Sequence, residues 1–329
     1  IRYLTNIEAE GLLLVTRKDN IFITDGRYIE DVHNTLTLFD EIVVYDARGL
    51  SKDDYENFFM FCENVGFEEN YVTYAKYKEY MHKYKINSLV ETENMIEKQR
   101  MIKDEEEIQL MKESSRIKDS VMLKLWSNLK EGYSEKYYAN LLAELYEEEG
   151  ASGFSFPPIV ATSPNGADPH HETGKDKVKN GDSVVLDIGG VYKNYCSDMT
   201  RTVFIGKEPS KEHAHVYNIV KSANEKAISI IKEGVKFSDI DKAARNLITD
   251  AGYGQYFTHR TGHSIGIEIH DFGNVSSVND DEVKAGMIFS VEPGIYLKDN
   301  IGVRVEDLVL VTKDGCEVLN SVTKEITVL

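Results

Sequence analysis

The chain has 329 residues, of which 41% are hydrophobic and 29% are charged, and its formal net charge is -18. This composition is typical of a globular protein long enough for two domains. The acidic residues are spread along the chain, so the charge disfavours a nucleic acid or an anionic membrane as a partner. No apolar run approaches the roughly 20 residues that span a bilayer.

The cysteines, Cys62, Cys196 and Cys316, are odd in number and far apart in the sequence. None belongs to a CxxC pair, so we interpret them as reduced thiols and not as a disulfide framework. This pattern predicts a cytoplasmic protein. The sequence opens at Ile1 without a methionine, so the lack of a signal peptide is an expectation that a longer native N-terminus would change.

Strand and helix signals alternate from Ile1 to about Leu89. The stretch GLLLVTRKDNIFITDGR holds two apolar runs around a polar turn, and EIVVYD predicts a further strand. KDDYENFFMFCENV, residues 52–65, predicts a helix. We therefore expect an α/β N-terminal domain over residues 1–101.

A long helix is predicted to open the second domain, which we place at residues 102–329. Asp104 and Glu107 fit a capping box, and the acidic run KDEEE lies in the first turn, where the helix dipole favours negative charge. The apolar face of this helix consists of Ile108, Met111, Ile117, Val121, Leu125 and Leu129.

The second domain contains an internal repeat with an offset of about a hundred residues. Residues 131–150 and 233–252 both begin Glu-Gly, and both place a serine, Ser134 or Ser238, where it would cap a helix. Further on, NGDSVVLDIGG and AGMIFSVEPG both run Gly, five residues, a carboxylate, one residue, Gly. Two similar halves are expected to pack around a pseudo-twofold axis.

The stretch HRTGHSIGIEIHD contains His259, His263 and His270. On a helix these three would share one face, but Gly262 and Gly266 disfavour a helix. Isoleucines at alternate positions 265, 267 and 269 have the period of a strand. We therefore predict a turn that leads into a strand, with the rest of any metal site supplied by other segments.

Each half also ends a buried strand with a carboxylate and presents a second carboxylate soon after. Asp187 is followed by Asp198, and Glu292 is followed by Glu306. A free carboxylate is costly to bury unless a positive charge compensates it. Four of them facing each other would need at least one divalent cation, and two such cations would suit them, with His263 as the fifth protein ligand.

The motifs LDIGG, SDMTRT, GHSIGIEIHD, VEPGIY and VRVED occur in this order. With them, the chain resembles over its whole length the metallopeptidases of family M24, which have the creatinase or prolidase ("pita-bread") fold. The resemblance implies an α/β N-terminal domain and an α+β pita-bread catalytic domain with an internal pseudo-twofold repeat. In this family, two Asp, one His and two Glu bind a pair of Mn2+, Co2+ or Zn2+ ions.

Carried over to this chain, the resemblance implies two divalent ions, with Mn2+ preferred over Co2+ or Zn2+. Asp198 and Glu306 would bridge them, and the complete set of ligands would be Asp187, Asp198, His263, Glu292 and Glu306. The implied reaction is hydrolysis of an N-terminal peptide bond by a water molecule that the two metals activate.

The same resemblance implies roles for further residues. Glu292 would take the proton of the water and pass it to the leaving nitrogen. His270 would contact the substrate and steady the oxyanion, and His170 would be a second such histidine, although its neighbour His171 competes for that role.

Two more residues match positions around the site in the family. His259 would line the pocket for the residue after the cleaved bond, and Arg304 would orient the carboxylates from behind.

The N-terminal domain resembles that of Xaa-Pro aminopeptidases and prolidases, so the expected partner is a peptide with proline in second place. Prolidases often have an arginine where this chain has Asn274, so we favour an Xaa-Pro aminopeptidase over an Xaa-Pro dipeptidase. A metal-free binding module and a metal-free amidinohydrolase on the same fold are disfavoured, since all five ligands are present. The resemblance also leaves a homodimer open.

Overall fold

The computed structural model describes residues 1–36, 42–60 and 62–329, and only the backbone at Leu36. Glu41 of the predicted strand EIVVYD and Phe61 of the predicted helix over 52–65 lie outside the described residues. Packing divides the chain into two compact units, Ile1–Ile96 and Glu97–Leu329. The domain boundary at residue 102 stays a prediction. None of the described helices combines the length and the apolarity that crossing a membrane requires.

The first unit is an α/β unit. Its helices are α1 (Arg2–Thr5), α2 (Ile29–Leu36), α3 (Lys52–Phe59) and α4 (Tyr74–Lys83). Its strands are β1 (Gly11–Val15), β2 (Asn20–Thr24), β3 (Ile42–Asp46), β4 (Val65–Phe67) and β5 (Leu89–Glu91). Strand β2 pairs antiparallel with β1 and parallel with β3, and β4 pairs parallel with β5.

Helix α3 is shorter than the helix predicted over residues 52–65. It begins with a capping box between Ser51 and Asp54 and ends at Phe59, where its last ring is buried against Tyr84. Val65 already pairs with Leu89 in the β4–β5 sheet. The prediction was therefore wrong at its C-terminal end, because strand pairing takes up the residues that follow.

The second unit is built on long helices. After α5 (Met95–Met101) come α6 (Glu105–Asn128), α7 (Glu135–Glu148), α8 (Lys211–Ile228) and α9 (Phe237–Asp250). The predicted capping box of α6 is confirmed, with Asp104 accepting from the Glu107 amide and Glu107 accepting from the Asp104 amide. Ser134 caps α7 as predicted. Ser238 does not cap α9, because it lies inside the helix and its buried hydroxyl donates to Asp280.

The strands of the second unit form several small antiparallel sheets. They are β6 (Gly153–Phe154), β7 (Ile159–Thr162), β8 (Ser183–Ile188), β9 (Gly190–Tyr192), β10 (Tyr195–Cys196), β11 (Met199–Phe204), β12 (Gly262–His263), β13 (Asn274–Val275), β14 (Ile288–Val291), β15 (Gly294–Leu297), β16 (Ile301–Arg304), β17 (Asp307–Val311) and β18 (Cys316–Val318). Neighbouring strands follow the orders β11-β8-β7, β10-β9-β6, β12-β13, β14-β17-β18 and β15-β16.

The internal repeat is visible in the order of these elements. Helices α6 and α7 precede the antiparallel pair β8 and β11, and α8 and α9 precede the antiparallel pair β14 and β17. Each helix pair packs on its own half of the core: Leu125 and Leu142 belong to the cluster that contains Leu186 of β8, and Val220 and Ile240 belong to the cluster that contains Phe289. The repeated sequence therefore produces two similar layers, each with a carboxylate at its strand ends.

The segment after His263 is not the strand predicted from its alternating isoleucines. It folds back on itself, since the amide of Asp271 donates to the Ser264 carbonyl at 2.9 Å. The Asp271 carboxylate is buried against Arg100 and lies 3.6 Å from the Lys103 Nζ. Because these two cations hold the far end of the segment, the chain closes a turn instead of extending.

Candidate metal centre and active site

Four carboxylates converge where the two strand pairs meet. Asp187 lies in β8 opposite Thr200 of β11, and Asp198 directly precedes β11. Glu292 directly follows β14, and Glu306 directly precedes β17. Asp198 and Glu306 are almost fully buried, at 4% and 1% exposure. The repeat thus places one carboxylate at each of four positions in or next to paired strands.

Three carboxylate oxygens in this cluster are buried without a hydrogen-bond partner among the described residues. They are Asp187 Oδ1, Asp198 Oδ1 and Glu306 Oε1. Burial raises the pKa of Asp187, and it raises the pKa of Asp198 and Glu306 well above their ordinary values. Buried carboxylate oxygens without partners are costly unless a cation or a proton satisfies them. The donor set therefore fits a divalent cation.

His263 completes this cluster. Its Nε2 atom lies 3.3 Å from Asp198 Oδ2 and 3.5 Å from Glu292 Oε1. The Nδ1 atom is 3.2 Å from the Ser264 carbonyl, and in the tautomer in which it donates to this carbonyl the Nε2 atom is available to bind a cation. Ligand atoms of Asp198, His263 and Glu306 all lie within 4.8 Å of one another. One imidazole nitrogen and several carboxylate oxygens are a suitable set for Mn2+, Co2+ or Zn2+.

The position of His263 depends on a close approach between β12 and β14. The His263 amide donates to Ser290 Oγ at 3.0 Å, and the same hydroxyl donates to Glu292 Oε1 at 3.0 Å. A Cβ at Gly262 would lie 1.9 Å from the Ser290 carbonyl oxygen. Only glycine fits at residue 262. Gly262 therefore lets the backbone of β12 approach β14 closely, which places His263 next to the strand that leads into Glu292.

Arg304 contacts the carboxylate cluster from both halves of the repeat. Its Nη2 donates to Asp187 Oδ2 at 2.6 Å and its Nε donates to Thr200 Oγ1 at 2.9 Å. The Thr200 hydroxyl in turn donates to Glu306 Oε2 at 2.7 Å. These contacts join the two halves of the repeat. They occupy one oxygen of Asp187 and one of Glu306, so the second oxygen of each carboxylate remains available to bind a cation.

Tyr296 was not singled out by the sequence analysis. Its hydroxyl accepts from Arg304 Nη1 at 2.9 Å and lies 2.8 Å from His259 Nε2. His259 Nδ1 donates to the Arg260 carbonyl, so Nε2 accepts the tyrosine proton. Burial raises the pKa of Tyr296 to about 12. Tyr296 pairs with Gly302 across β15 and β16, and nothing in the local sequence indicated its contacts with Arg304 and His259.

His270 lies against His263, with ring centroids 4.4 Å apart and the rings nearly perpendicular. Partial burial lowers the pKa of His270 to about 4, with further contributions from His263 and Arg260. The imidazole is therefore neutral near pH 7. A neutral histidine can donate one N–H bond to a neighbouring oxygen.

The two adjacent histidines 170 and 171 face different surroundings. His171 is mostly buried, and its Nε2 lies 2.8 Å from Glu135 Oε2. His170 is exposed, and an electrostatic contribution from it helps to lower the pKa of His270. Of the two histidines, His171 is therefore the one held by a carboxylate, and His170 is the one left open to solvent.

A buried amide supports the second strand pair from the helix side. Asn224 of α8 donates through Nδ2 to the carbonyl of Val291 at 2.8 Å and to that of Val305 at 3.4 Å. These residues immediately precede Glu292 and Glu306. Lys324 Nζ donates to Asn224 Oδ1 at 2.9 Å. Nothing in the local sequence indicated this role, because the contacts join residues 67 to 100 positions apart.

Known protein families match both parts of the chain. Residues 109–313 match the model of metallopeptidase family M24, and residues 1–102 match that of the creatinase/prolidase N-terminal domain. An uncharacterized peptidase of Staphylococcus aureus strain MW2 is 39% identical over 257 residues, which cover 78% of this chain and 73% of that protein.

Two solved structures are similar along the whole chain. An Xaa-Pro dipeptidase from Bacillus anthracis has a TM-score of 0.93 at 36% identity, covering 100% of this chain and 92% of that one. An X-Pro aminopeptidase from Thermotoga maritima has a TM-score of 0.92 at 32% identity, covering 100% of this chain and 93% of that one. The expected architecture, an α/β domain with a pita-bread domain, is confirmed.

Proposed function

The chain belongs to metallopeptidase family M24, and from this premise and its site we propose that it hydrolyses the N-terminal Xaa-Pro bond of peptides. The proposal rests above all on the three buried carboxylate oxygens that have no partner among the described residues. Two of them belong to Asp198 and Glu306, which lie beside His263, and the third belongs to Asp187, which Arg304 orients. A role in peptide hydrolysis accounts for this cluster better than a structural one, because its polar atoms remain unsatisfied.

Two divalent ions are the proposed cofactor, with Mn2+ first and Co2+ or Zn2+ as alternatives. The donor set is rich in oxygen, which suits Mn2+, and its one imidazole also suits Co2+ and Zn2+. Asp198 and Glu306 are the proposed bridges, and the full set of ligands is Asp187, Asp198, His263, Glu292 and Glu306. The chemistry supplied by the bound ions is activation of a water molecule and polarisation of the scissile carbonyl.

Glu292 is proposed to move the proton. Its side chain is 17% exposed, which makes it more open than the other buried carboxylates of the cluster, and Ser290 holds its Oε1 in place. It takes a proton from the attacking water and delivers it to the leaving nitrogen of the proline. The open position suits a group that must reach both the water and the substrate.

His270 is proposed to stabilise the tetrahedral oxyanion. Its lowered pKa keeps the ring neutral, so the N–H that faces the substrate remains a hydrogen-bond donor without a full charge. His170 is proposed as a second contact to the same part of the substrate. His259 has both ring nitrogens occupied, so it would line the pocket for the proline through its ring, beside Phe257 and Tyr296.

Within this reaction, we propose aminopeptidase action on Xaa-Pro-Yaa peptides. The supporting residue is Asn274, which pairs with His263 in the β12–β13 sheet. It carries no charge at the position where prolidases often have an arginine. A site without that arginine does not favour the free carboxylate of a dipeptide over a longer chain.

Dipeptidase action is the second candidate, and Arg260 favours it. This exposed arginine directly follows His259, and its charge helps to lower the pKa of His270. Its guanidinium can bind a carboxylate through two parallel hydrogen bonds, which would replace the missing arginine. The resemblance to the B. anthracis dipeptidase supports this candidate at least as well as the first.

The experiment that tests the proposal uses protein stripped with a chelator and then reloaded with Mn2+, Co2+ or Zn2+. Cleavage of Xaa-Pro, Xaa-Pro-Yaa and Met-Ala-Yaa peptides is followed by mass spectrometry. We expect metal-dependent release of Xaa from the proline peptides and little from Met-Ala-Yaa. Absence of any metal-dependent cleavage would refute the enzyme assignment.

The two candidates differ in substrate length and in their response to Arg260→Gln. An aminopeptidase cleaves Xaa-Pro-Yaa faster than Xaa-Pro, and the substitution changes both rates alike. For a dipeptidase the order of rates is reversed. The substitution then raises KM for Xaa-Pro by about 10-fold or more, as loss of a charged hydrogen bond predicts, while Xaa-Pro amide is unaffected.

A further inference from the structure

Glu135 is a buried carboxylate that neither the metal cluster nor the helix needs. It is the first residue of α7, and its side chain is completely buried. The helix already has its cap in Ser134. A buried carboxylate is costly unless several donors compensate it, so its partners indicate what it holds in place.

The partners of this carboxylate among the described residues belong to one loop and its two ends. Oε1 accepts from the amide of Thr162 at 2.9 Å and from Asn165 Nδ2 at 2.9 Å. Oε2 accepts from the amide of Gly174 at 2.9 Å and from His171 Nε2 at 2.8 Å. Thr162 and Gly174 bracket residues 163–173, which we call the His170 loop.

The His170 loop reaches the site directly. The carbonyl of Pro169 accepts from Arg304 Nη1 at 3.4 Å, and the amide of His170 donates to Asp168 Oδ1 at 3.0 Å. The loop also packs against β16 without room for a side chain, since a Cβ at Gly302 would lie 1.6 Å from the Gly166 carbonyl. The loop is therefore fixed at its ends, at its middle and at the residue beside His170.

We propose that Glu135 is a positioning residue for His170: it binds both ends of the His170 loop and His171, so that His170 alone is presented to the substrate. This inference rests on the proposed function, which gives His170 its contact with the substrate. It also separates the two adjacent histidines by role, since one is held by the carboxylate and the other is exposed. Glu135 acts through the loop and does not touch the reacting atoms.

The test is Glu135→Gln, with Glu144→Gln as the matched control. Glutamine has one acceptor oxygen, and each oxygen of Glu135 accepts from a backbone amide, so the NH2 group of glutamine must face one of these amides and that bond is lost. Glu144 lies on the same helix and is exposed, so the same change there removes no buried contact. We expect Glu135→Gln to lower kcat/KM by roughly 10- to 100-fold with the bound metal unchanged, as misplacement of a substrate contact does.

A double-mutant cycle with His170→Ala distinguishes positioning from general destabilisation. In the His170→Ala background, Glu135→Gln should lower kcat/KM by less than about 3-fold further, because the group it positions is already gone. Equal losses in both backgrounds would overturn the proposal. No loss in Glu135→Gln alone would also overturn it.

Hydrogen exchange of the substrate-free protein gives a readout independent of catalysis. At least one of the amides of Thr162 and Gly174 should exchange faster in Glu135→Gln, and unchanged exchange of both would contradict the proposal. If Glu135→Gln fails to fold, His171→Ala replaces it: it removes one of the four bonds, so it should lower kcat/KM less than His170→Ala does. The opposite order would overturn the assignment. Full activity of His170→Ala would refute the role of His170, whereas metal-dependent cleavage itself would stand.

Discussion

The two strand pairs of the catalytic unit carry their carboxylates in the same way but are supported differently. In the first pair, β8 and β11, the carbonyl of Asp198 accepts from Lys118 Nζ at 3.3 Å and from Asn320 Nδ2 at 3.3 Å. In the second pair, β14 and β17, the Asn224 amide donates to both carbonyls that precede the glutamates. Two side chains thus hold one carbonyl in the first pair, whereas one amide holds two carbonyls in the second. Duplication therefore accounts for the carboxylates but not for what holds them.

The two pairs also depend on each other. Arg304 of the second pair donates to Asp187 of the first, and Thr200 of the first donates to Glu306 of the second. Arg201 reaches across to the carbonyl of Glu306 and to the Asp307 carboxylate at 2.7 Å. Neither pair satisfies its own buried groups, so the two halves must be assembled before the ligand atoms are in place.

The largest effect should follow from removing one ligand from each pair. We expect Asp198→Ala and Glu306→Ala each to lower turnover by about 10³-fold or more, because metal chemistry supplies several kcal/mol of transition-state stabilisation. Peptide cleavage and metal content by elemental analysis are the measurements. The control is Asp314→Ala, which removes an exposed carboxylate and should change neither. Retained activity in either ligand variant would refute its assignment as a bridge.

A smaller effect should follow from removing the side-chain donors that hold the backbone of each strand pair. The resulting loss of metal affinity should differ between the two pairs. Asn224→Asp removes both donors to the second pair, and we expect metal affinity to fall by roughly 10- to 100-fold, as loss of such outer contacts typically does. Lys324 remains beside the new carboxylate and compensates its charge. Asn320→Asp removes one of the two donors to the first pair, so its loss should be smaller.

Titration with Mn2+ by calorimetry measures these affinities. Asn218→Asp is the matched control, since this exposed asparagine lies on the same helix as Asn224 and should leave the affinity unchanged. Equal losses from Asn224→Asp and Asn320→Asp would break the contrast between the two supports.

The smallest effect concerns the C-terminal segment that supplies Asn320 and Lys324. The Tyr217 hydroxyl donates to the carbonyls of Lys324 and Glu325, and burial raises its pKa to about 12 from an ordinary value of 10.0. The unfolded chain therefore loses this proton before the folded chain does as the pH rises. The stability that Tyr217 contributes is fully present below pH 10 and is lost towards pH 12. The loss from this group is about 2 kcal/mol at pH 11.5.

Urea unfolding at two pH values isolates this contribution. Between about pH 9 and pH 11.5, the free energy of unfolding of Tyr217→Phe should fall by about 2 kcal/mol less than that of the unmodified chain. An identical pH dependence in both proteins would contradict the role of Tyr217.

The sequence predicted the features that depend on neighbouring residues. The capping box at Asp104 and Glu107, the cap at Ser134 and the carboxylates at repeated strand ends all follow from short patterns. The M24 resemblance and its fold are confirmed by the comparisons. The roles carried over from the family stay predictions until the variants are measured.

The sequence did not predict features that depend on distant contacts. The alternation of isoleucines after His263 predicted a strand, but Asp271 is bound by Arg100 across 171 positions and the segment turns back. Ser238 looked like a cap, but Asp280 binds its hydroxyl. Glu135 and Asn224 were overlooked because a buried polar residue on a helix reveals its role only through its partners.

The central claim is that the two strand pairs together hold a pair of divalent ions. Anomalous diffraction from crystals loaded with Mn2+, recorded at the manganese edge, tests it most directly. We expect two peaks roughly 3.5–4 Å apart, both contacted by Asp198 and Glu306, with His263 beside one of them. No peak among these carboxylates in loaded crystals, or a peak held by one strand pair alone, would contradict the account.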